Sequence, residues 1–309
     1  MKLAMVFPGQ GSQTVGMLKE YEGLPDIQAV RKETEAVLGK DFMNLLDEGP
    51  AEKLNQTVNT QPAMVTGGYA AYRAWRALGG PAPEMVAGHS LGEYTALVVA
   101  GALSFRDCLP LVRFRAQAMQ EAVPEGQGAM AAILNLEDEK VHAACAEAGG
   151  AVQAVNFNSP GQVVIAGEKS AVERAMEGCK ARGAKRALPL PVSAPFHSSL
   201  MRPAGERLRP FLEKISFSAP GISLINNVDV NIENDPARIR DALVRQASSP
   251  VRWVEVIQRM AEAGVTHIVE CGPGKVLSGL TKRIDPKVQS LSSTDRASLE
   301  QALQAVRGG

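Results

Sequence analysis

Residues 84–100 read EMVAGHSLGEYTALVVA. Glu84 to Gly88 is a short apolar run suited to a buried strand, and Leu91 to Ala100 has the pattern of a helix stopped by Gly101. Between them GHSLG, Gly88 to Gly92, fits G-x-S-x-G. In that setting the serine sits on a strained elbow at the strand's carboxyl end, with its hydroxyl exposed. Its neighbours are glycine because other backbone passes close by. Ser90 is therefore the candidate nucleophile, and the N–H of Leu91, at the start of the helix, points toward an oxyanion. The bland alternative, a chance match on a surface loop, explains neither the strand before the serine nor the helix after it.

Working outward, the opening LAMVF is an apolar run stopped by Pro8 and Gly9. It reads as a buried parallel-type strand feeding a glycine-rich turn. Gln61 to Leu78 is a helical pattern, with Pro62 suited to its first turn and Gly79 and Gly80 ending it. Late in the chain, Thr266 to Val269 is another short strand, closed by Gly272, Pro273 and Gly274 and followed by the apolar pattern of Val276, Leu277 and Leu280. The expected fold is α/β, with one sheet drawing strands from both ends of the chain.

The middle has a different order. Strand Ala129 to Leu134, helix Glu137 to Ala148, two strands around the turn Asn158 to Gly161, helix Ser170 to Arg182 and strand Arg186 to Leu190 make a βαββαβ unit. That is the ferredoxin-like arrangement. The expected organisation is a large catalytic α/β subdomain, residues 1–125 and 194–309, with a small ferredoxin-like subdomain, residues 126–193, inserted into it.

Bulk composition removes several function classes. The 309 residues carry 33 basic and 33 acidic side chains with no basic block at either end, which leaves nucleic-acid or anionic-membrane binding without electrostatic support. Cys108, Cys145, Cys179 and Cys271 form no CxxC pair, so neither a metal site nor a disulfide framework is expected. The run before Pro8 is too brief for a signal segment, and no stretch reaches ~18 uninterrupted apolar residues. A cytoplasmic protein is expected.

A serine hydroxyl needs a base. Among four histidines, His89 would project away from its neighbour Ser90, His142 lies in a polar helical stretch and His267 begins a strand. His197, in PFHSSL, lies where the small subdomain returns to the large one. It is the chosen general base, with a structural histidine an equal reading of the pattern alone. Arg115 falls on the apolar stripe of Leu111, Phe114, Ala118 and Met119, whereas Arg113 and Gln117 take the solvent face. A guanidinium there is costly unless an anion meets it; an internal salt bridge to an Asp or Glu, or a side chain that snorkels to water, is the simpler reading of the pattern, and a clamp for the free carboxylate of a substrate is the functional one. In FPGQGSQ, Phe7 to Gln13, Thr14 stands where GxGxxG requires its third glycine, so no dinucleotide site is read. Gln10 in that turn can offer an amide donor or brace the elbow, though a plain structural turn is the simpler reading.

FPGQGSQ, GHSLGE, the Arg115 helix, NFNSPGQVVIAG (156–167), PFHSSLM and LVRQASSPVRW together resemble the malonyl-CoA:acyl carrier protein transacylases. The resemblance spans nearly the whole chain. It implies an α/β-hydrolase-like large subdomain with a ferredoxin-like small one, and an enzyme of fatty acid synthesis whose partners are malonyl-CoA and acyl carrier protein. It further implies that Ser90 carries the acyl group and His197 is base and acid. Arg115 then binds the malonyl carboxylate, and the N–H groups of Gln10 and Leu91 form the oxyanion hole. The histidine would be oriented by a carbonyl at Gln246 in place of a triad aspartate. Phe196 before His197 resembles the Phe-His pair of malonyl-selective domains. No metal or bound cofactor is called for, coenzyme A thioester being a substrate. The rival readings are a serine esterase or thioesterase and a non-catalytic scaffold for acyl carriers.

Overall fold

The computed structural model describes every residue except Ser193 and Gly309, and Pro25 in its main chain alone. In chain order the strands are β1 Leu3–Phe7, β2 Met85–Gly88, β3 Gly128–Leu134, β4 Val152–Ser159, β5 Gln162–Glu168, β6 Arg186–Pro189, β7 Ser223–Leu224, β8 His267–Glu270 and β9 Gln289–Ser292. Five of them make a sheet in the order β7-β2-β1-β8-β9, and every pairing in it is parallel.

The LAMVF run is buried throughout because its alternate residues enter two cores. Leu3, Met5 and Phe7 pack with Met64, Ala71 and Trp75 of the helix Thr57–Ala77, while Ala4 and Val6 pack with Trp253, Val256 and Ile257 of the helix Trp253–Glu262. A strand covered on both faces cannot alternate polar and apolar, which is why the sequence shows a continuous run. The sheet order reverses direction at β1, and the carboxyl ends of β1, β2 and β8 meet at one edge, with Phe7 beside Gly88 and Val6 beside Glu270. Such a reversal opens a crevice where ligands bind.

The elbow projects into that crevice. Ser90 has φ 52°, in the left-handed region that side chains seldom adopt. A Cβ on Gly88 would lie 1.8 Å from the carbonyl carbon of Gly92, and one on Gly92 would lie 2.0 Å from the carbonyl oxygen of Phe7. Both positions are glycine by exclusion, as the motif reading expects. The helix Gly92–Val99 follows directly.

The other four strands form an antiparallel sheet in the order β4-β5-β3-β6. The expected βαββαβ order is present, with the helices Asp138–Ala148 and Lys169–Ala181 packed on one face through Val141, Ala144, Val172 and Ala175. The opposite face, with Met130, Val155 and Val164, packs against Leu190, Val192 and Phe196. Main-chain bonds tie this sheet to the large one: Val251 N–H donates to Val155 at 2.8 Å, and Phe157 N–H donates to Val251 at 3.0 Å. The expected boundary at 193 lies outside the described residues.

Two local expectations need correction. Pro62 is not in the first turn of its helix; the helix begins at Thr57 and carries Pro62 inside it. The extra turn, TVNT, has little apolar signal, yet Thr57 and Thr60 are buried, and Thr60 Oγ1 donates to the Leu54 carbonyl at 2.7 Å. Tertiary packing outweighs the local start signal there. Arg113 is half-buried instead of solvated, its guanidinium 5.2 Å from the Phe42 ring centre. Among the described residues, no helix is long and apolar enough to cross a membrane.

Candidate active site

The elbow brings Ser90 to His197, although 107 residues separate them in the chain. Ser90 Oγ and His197 Nε2 are 2.6 Å apart. His197 Nδ1 is 2.9 Å from the main-chain oxygen of Gln246, the last residue of the helix Pro236–Gln246. A carbonyl oxygen only accepts, so Nδ1 carries the hydrogen and Nε2 offers its lone pair to the serine hydroxyl. Burial first, and then the Arg115 charge, pulls the His197 pKa down to about 3, against which the Gln246 carbonyl works weakly. The imidazole is therefore neutral, as an acceptor of the serine proton must be. Gln246 takes part through its backbone in this contact, and through its side chain in others.

Arg115 is 1 % exposed and comes from the helix Phe105–Glu121. Its Nη1 donates to Gln61 Oε1 at 2.9 Å, and its Nη2 donates to Gln246 Oε1 at 3.0 Å and lies 3.4 Å from Ser90 Oγ. The Tyr94 ring lies 5.3 Å from the guanidinium carbon. Among the described residues, no carboxylate comes within ion-pair distance of it, and its Nε has no partner. The internal-salt-bridge reading thus finds no anion.

Ser90, Arg115 and His197 share one cavity of about 500 Å³, with Gln10, Gln61 and Leu91 also in its wall. The N–H of Ser90 is already given to Asn227 Oδ1 at 2.8 Å. Among the described residues, no main-chain carbonyl takes the N–H of Leu91 or of Gln10. The Gln10 side chain is held by Thr57 Oγ1 at 3.1 Å. His89 also reaches this wall, but its ring is occupied: Nε2 meets Asn158 Oδ1 at 2.7 Å and the ring lies 5.4 Å from that of Trp253. The rest of the wall is largely apolar, through Met119, Met130, Leu190, Val192 and Phe196.

A serine elbow, a neutral histidine and an unpaired guanidinium in one crevice invite comparison with known acyl-transfer proteins. Residues 4–295 match the family model of the acyl transferase domain. The malonyl CoA-acyl carrier protein transacylase of Escherichia coli K12 is 54% identical over 306 residues, covering 98% of this chain and 99% of its own. The chain belongs to the acyl transferase family. A crystal structure of acyl-carrier-protein S-malonyltransferase from Burkholderia pseudomallei superposes with a TM-score of 0.97 at 60% identity, over 98% of this chain and 100% of that one. A malonyl-transacylase solved in complex with its type II polyketide acyl carrier protein gives 0.96 at 51% identity, over 99% and 100%.

Three polar residues of this acyl transferase escaped the sequence reading. Asn227 clamps the elbow: Nδ2 donates to the Gly88 carbonyl at 2.7 Å while Oδ1 accepts the Ser90 N–H. Gln61 steadies Arg115, as above. Glu93, 2 % exposed, accepts from the Asn227 N–H at 2.9 Å and from Gln246 Nε2 at 3.1 Å. A carboxylate in the otherwise apolar helix GEYTALVV was the one signal available for it.

Proposed function

We propose that the protein moves malonyl from coenzyme A to the phosphopantetheine thiol of an acyl carrier protein, as a cytoplasmic step of fatty acid biosynthesis. The observation that carries this reading is the unpaired Arg115 guanidinium in the same cavity as the Ser90–His197 pair. An ordinary esterase site has no use for a buried cation, whereas a dicarboxylic thioester has a second end to be held.

Ser90 Oγ gives its proton to His197 Nε2 and attacks the thioester carbonyl; the resulting oxyanion faces the N–H groups of Gln10 and Leu91. When the carbon–sulfur bond breaks, the imidazolium returns the proton to the coenzyme A sulfur, leaving malonyl-Ser90. The carrier thiol then attacks that ester by the same steps in reverse, which gives ping-pong kinetics. The Gln246 carbonyl fixes the imidazole tautomer in place of a triad carboxylate, stabilising the imidazolium less than an anion would. Arg115 Nη1 and Nη2 grip the free malonyl carboxylate, displacing amide contacts. Residues 126–193 act as the small subdomain over residues 1–125 and 194–309, and exposed Lys185 and Arg186, at the start of β6, are candidates for meeting an acidic carrier.

Mass spectrometry after mixing with malonyl-CoA tests this: a malonyl adduct is expected on the peptide that contains Ser90 and is expected to be absent in Ser90→Ala. Adding carrier protein should move the label to the carrier thiol. Release as free malonate instead would make the protein a thioesterase, and no adduct at all would make it a scaffold.

A further inference from the structure

Glu93 lies one helical turn beyond Ser90, on the helix Gly92–Val99, and burying a carboxylate there is costly unless its oxygens are used. They are used on one side only: Oε2 takes both the Asn227 N–H and Gln246 Nε2. Those two residues in turn contact the elbow, Arg115 and His197. The Asn227 side chain bonds the Gly88 carbonyl and the Ser90 N–H, the backbone leading into the strained serine. Gln246 donates from Nε2 to the Ser90 carbonyl at 3.0 Å, accepts Arg115 at Oε1 and accepts His197 at its main-chain oxygen.

We propose that Glu93 is a positioning residue for the transfer reaction, the buried anion behind the elbow that locks Asn227 and Gln246 and supplies the negative charge missing from the His197 partner. This rests on the transacylase reading above. Glu93 touches no reacting atom; it acts through the two amides. Its charge is felt by Arg115 on the helix Phe105–Glu121, by Asp229 in the turn after β7, which opposes it, and by Tyr94 beside it. His197 meets Gln246 at its main-chain oxygen. Burial holds the Glu93 carboxyl up at about 7, so it gains its charge near neutral pH. As proton transfer makes an imidazolium, an ionised Glu93 offsets it through a dry interior where charges act strongly.

The test is the single-turnover rate of Ser90 malonylation by malonyl-CoA, measured on the whole chain by rapid quench between pH 5.5 and 8.5. Glu93→Gln keeps an oxygen where Oε2 sits and removes only the charge. It is expected to lose roughly tenfold in rate at pH 8, to hold KM for malonyl-CoA within about twofold, and to lose the rise through pH 7. Glu93→Leu, which also removes the acceptor, is expected to lose roughly a hundredfold and to be rescued toward the Gln variant in the reverse exchange. If Glu93→Leu does not fold, the Gln variant alone decides. A Gln variant with the wild-type rate and pH profile, or one whose loss appears only in melting temperature or KM, overturns the proposal. A wild-type protein that forms no malonyl-Ser90 overturns the transacylase reading instead.

Discussion

Arg115 carries a fixed charge into a place where its hydrogen-bond neighbours are two amides and a hydroxyl. Burial pulls its pKa down, with Tyr94 and Glu93 opposing, yet a guanidinium stays charged at any working pH. Amides satisfy the directions of its N–H groups without neutralising it, so the side chain is pre-aimed while its charge remains available to a carboxylate. Lysine at this place keeps the charge and loses the planar fork. For Arg115→Lys we expect kcat/KM for malonyl-CoA to fall by roughly a hundredfold, about 2–3 kcal/mol for a paired charged hydrogen bond. Acetyl-CoA, which has no second carboxylate, should lose far less. Steady-state kinetics with both thioesters checks this, and an equal loss for the two would mean that the arginine serves the scaffold and not the substrate.

At the scale of single elements, β8 and the helix Val276–Ile284 are joined by another buried acid. Glu270 accepts the N–H of Leu277 at 3.1 Å and of Ser278 at 2.7 Å, taking donors that the first turn of the helix leaves free. Burial nevertheless pushes its pKa from 4.5 up to about 7, the backbone bonds opposing. Between those values the folded chain holds a proton that the unfolded chain has released. This contribution to stability is thus fully present below 4.5 and is lost as pH rises through 7, a change on the order of 3 kcal/mol. Glu93 has the same sign, whereas His197, depressed to about 3, adds stability as pH rises toward 6.5. Calorimetry of Glu270→Gln at pH 5 and pH 8 isolates the first of these: the melting temperature of the variant should fall less between the two pH values than that of the wild type. An identical fall would show that Glu270 is ionised throughout. Elements of this kind were readable where they are local. The elbow, the βαββαβ order and the buried β1 run each follow from adjacent residues, and the backbone chemistry of glycine left one solution. Pro62 was misplaced because packing, not propensity, starts its helix. Glu93 was missed because its partners Asn227 and Gln246 lie 134 and 153 residues away, a distance over which periodicity carries no information.

The whole molecule makes its cavity from both sheets. Ser90, Arg115 and Gln10 come from the parallel sheet and its helices, whereas Met130 comes from β3 of the antiparallel sheet, with Leu190 and Val192 just beyond β6. The Val251 pairing to Val155 and Phe157 fixes one against the other by backbone bonds, so the width of the cavity depends on how the sheets sit together. Phe196 packs both with Met119 and Met201 on the helical side and with Met130 and Val164 on the sheet side, closing the apolar wall. On the proposed function, a malonyl group held at one end by Ser90 and at the other by Arg115 would present its central carbon to this wall. A branch on that carbon would then have to find its room against these side chains. Met130→Ala removes three heavy atoms from the sheet side without touching Ser90, His197 or Arg115. Discrimination by an added methyl in an apolar pocket is worth ~1–3 kcal/mol. The ratio of kcat/KM for methylmalonyl-CoA to that for malonyl-CoA should therefore rise by roughly tenfold or more, with malonyl-Ser90 still formed. Competition between the two thioesters, read by intact-protein mass, measures that ratio directly. If it stays at the wild-type value in a folded variant, the antiparallel sheet does not bound the acyl slot, and selection against branching must come from the Arg115 side alone.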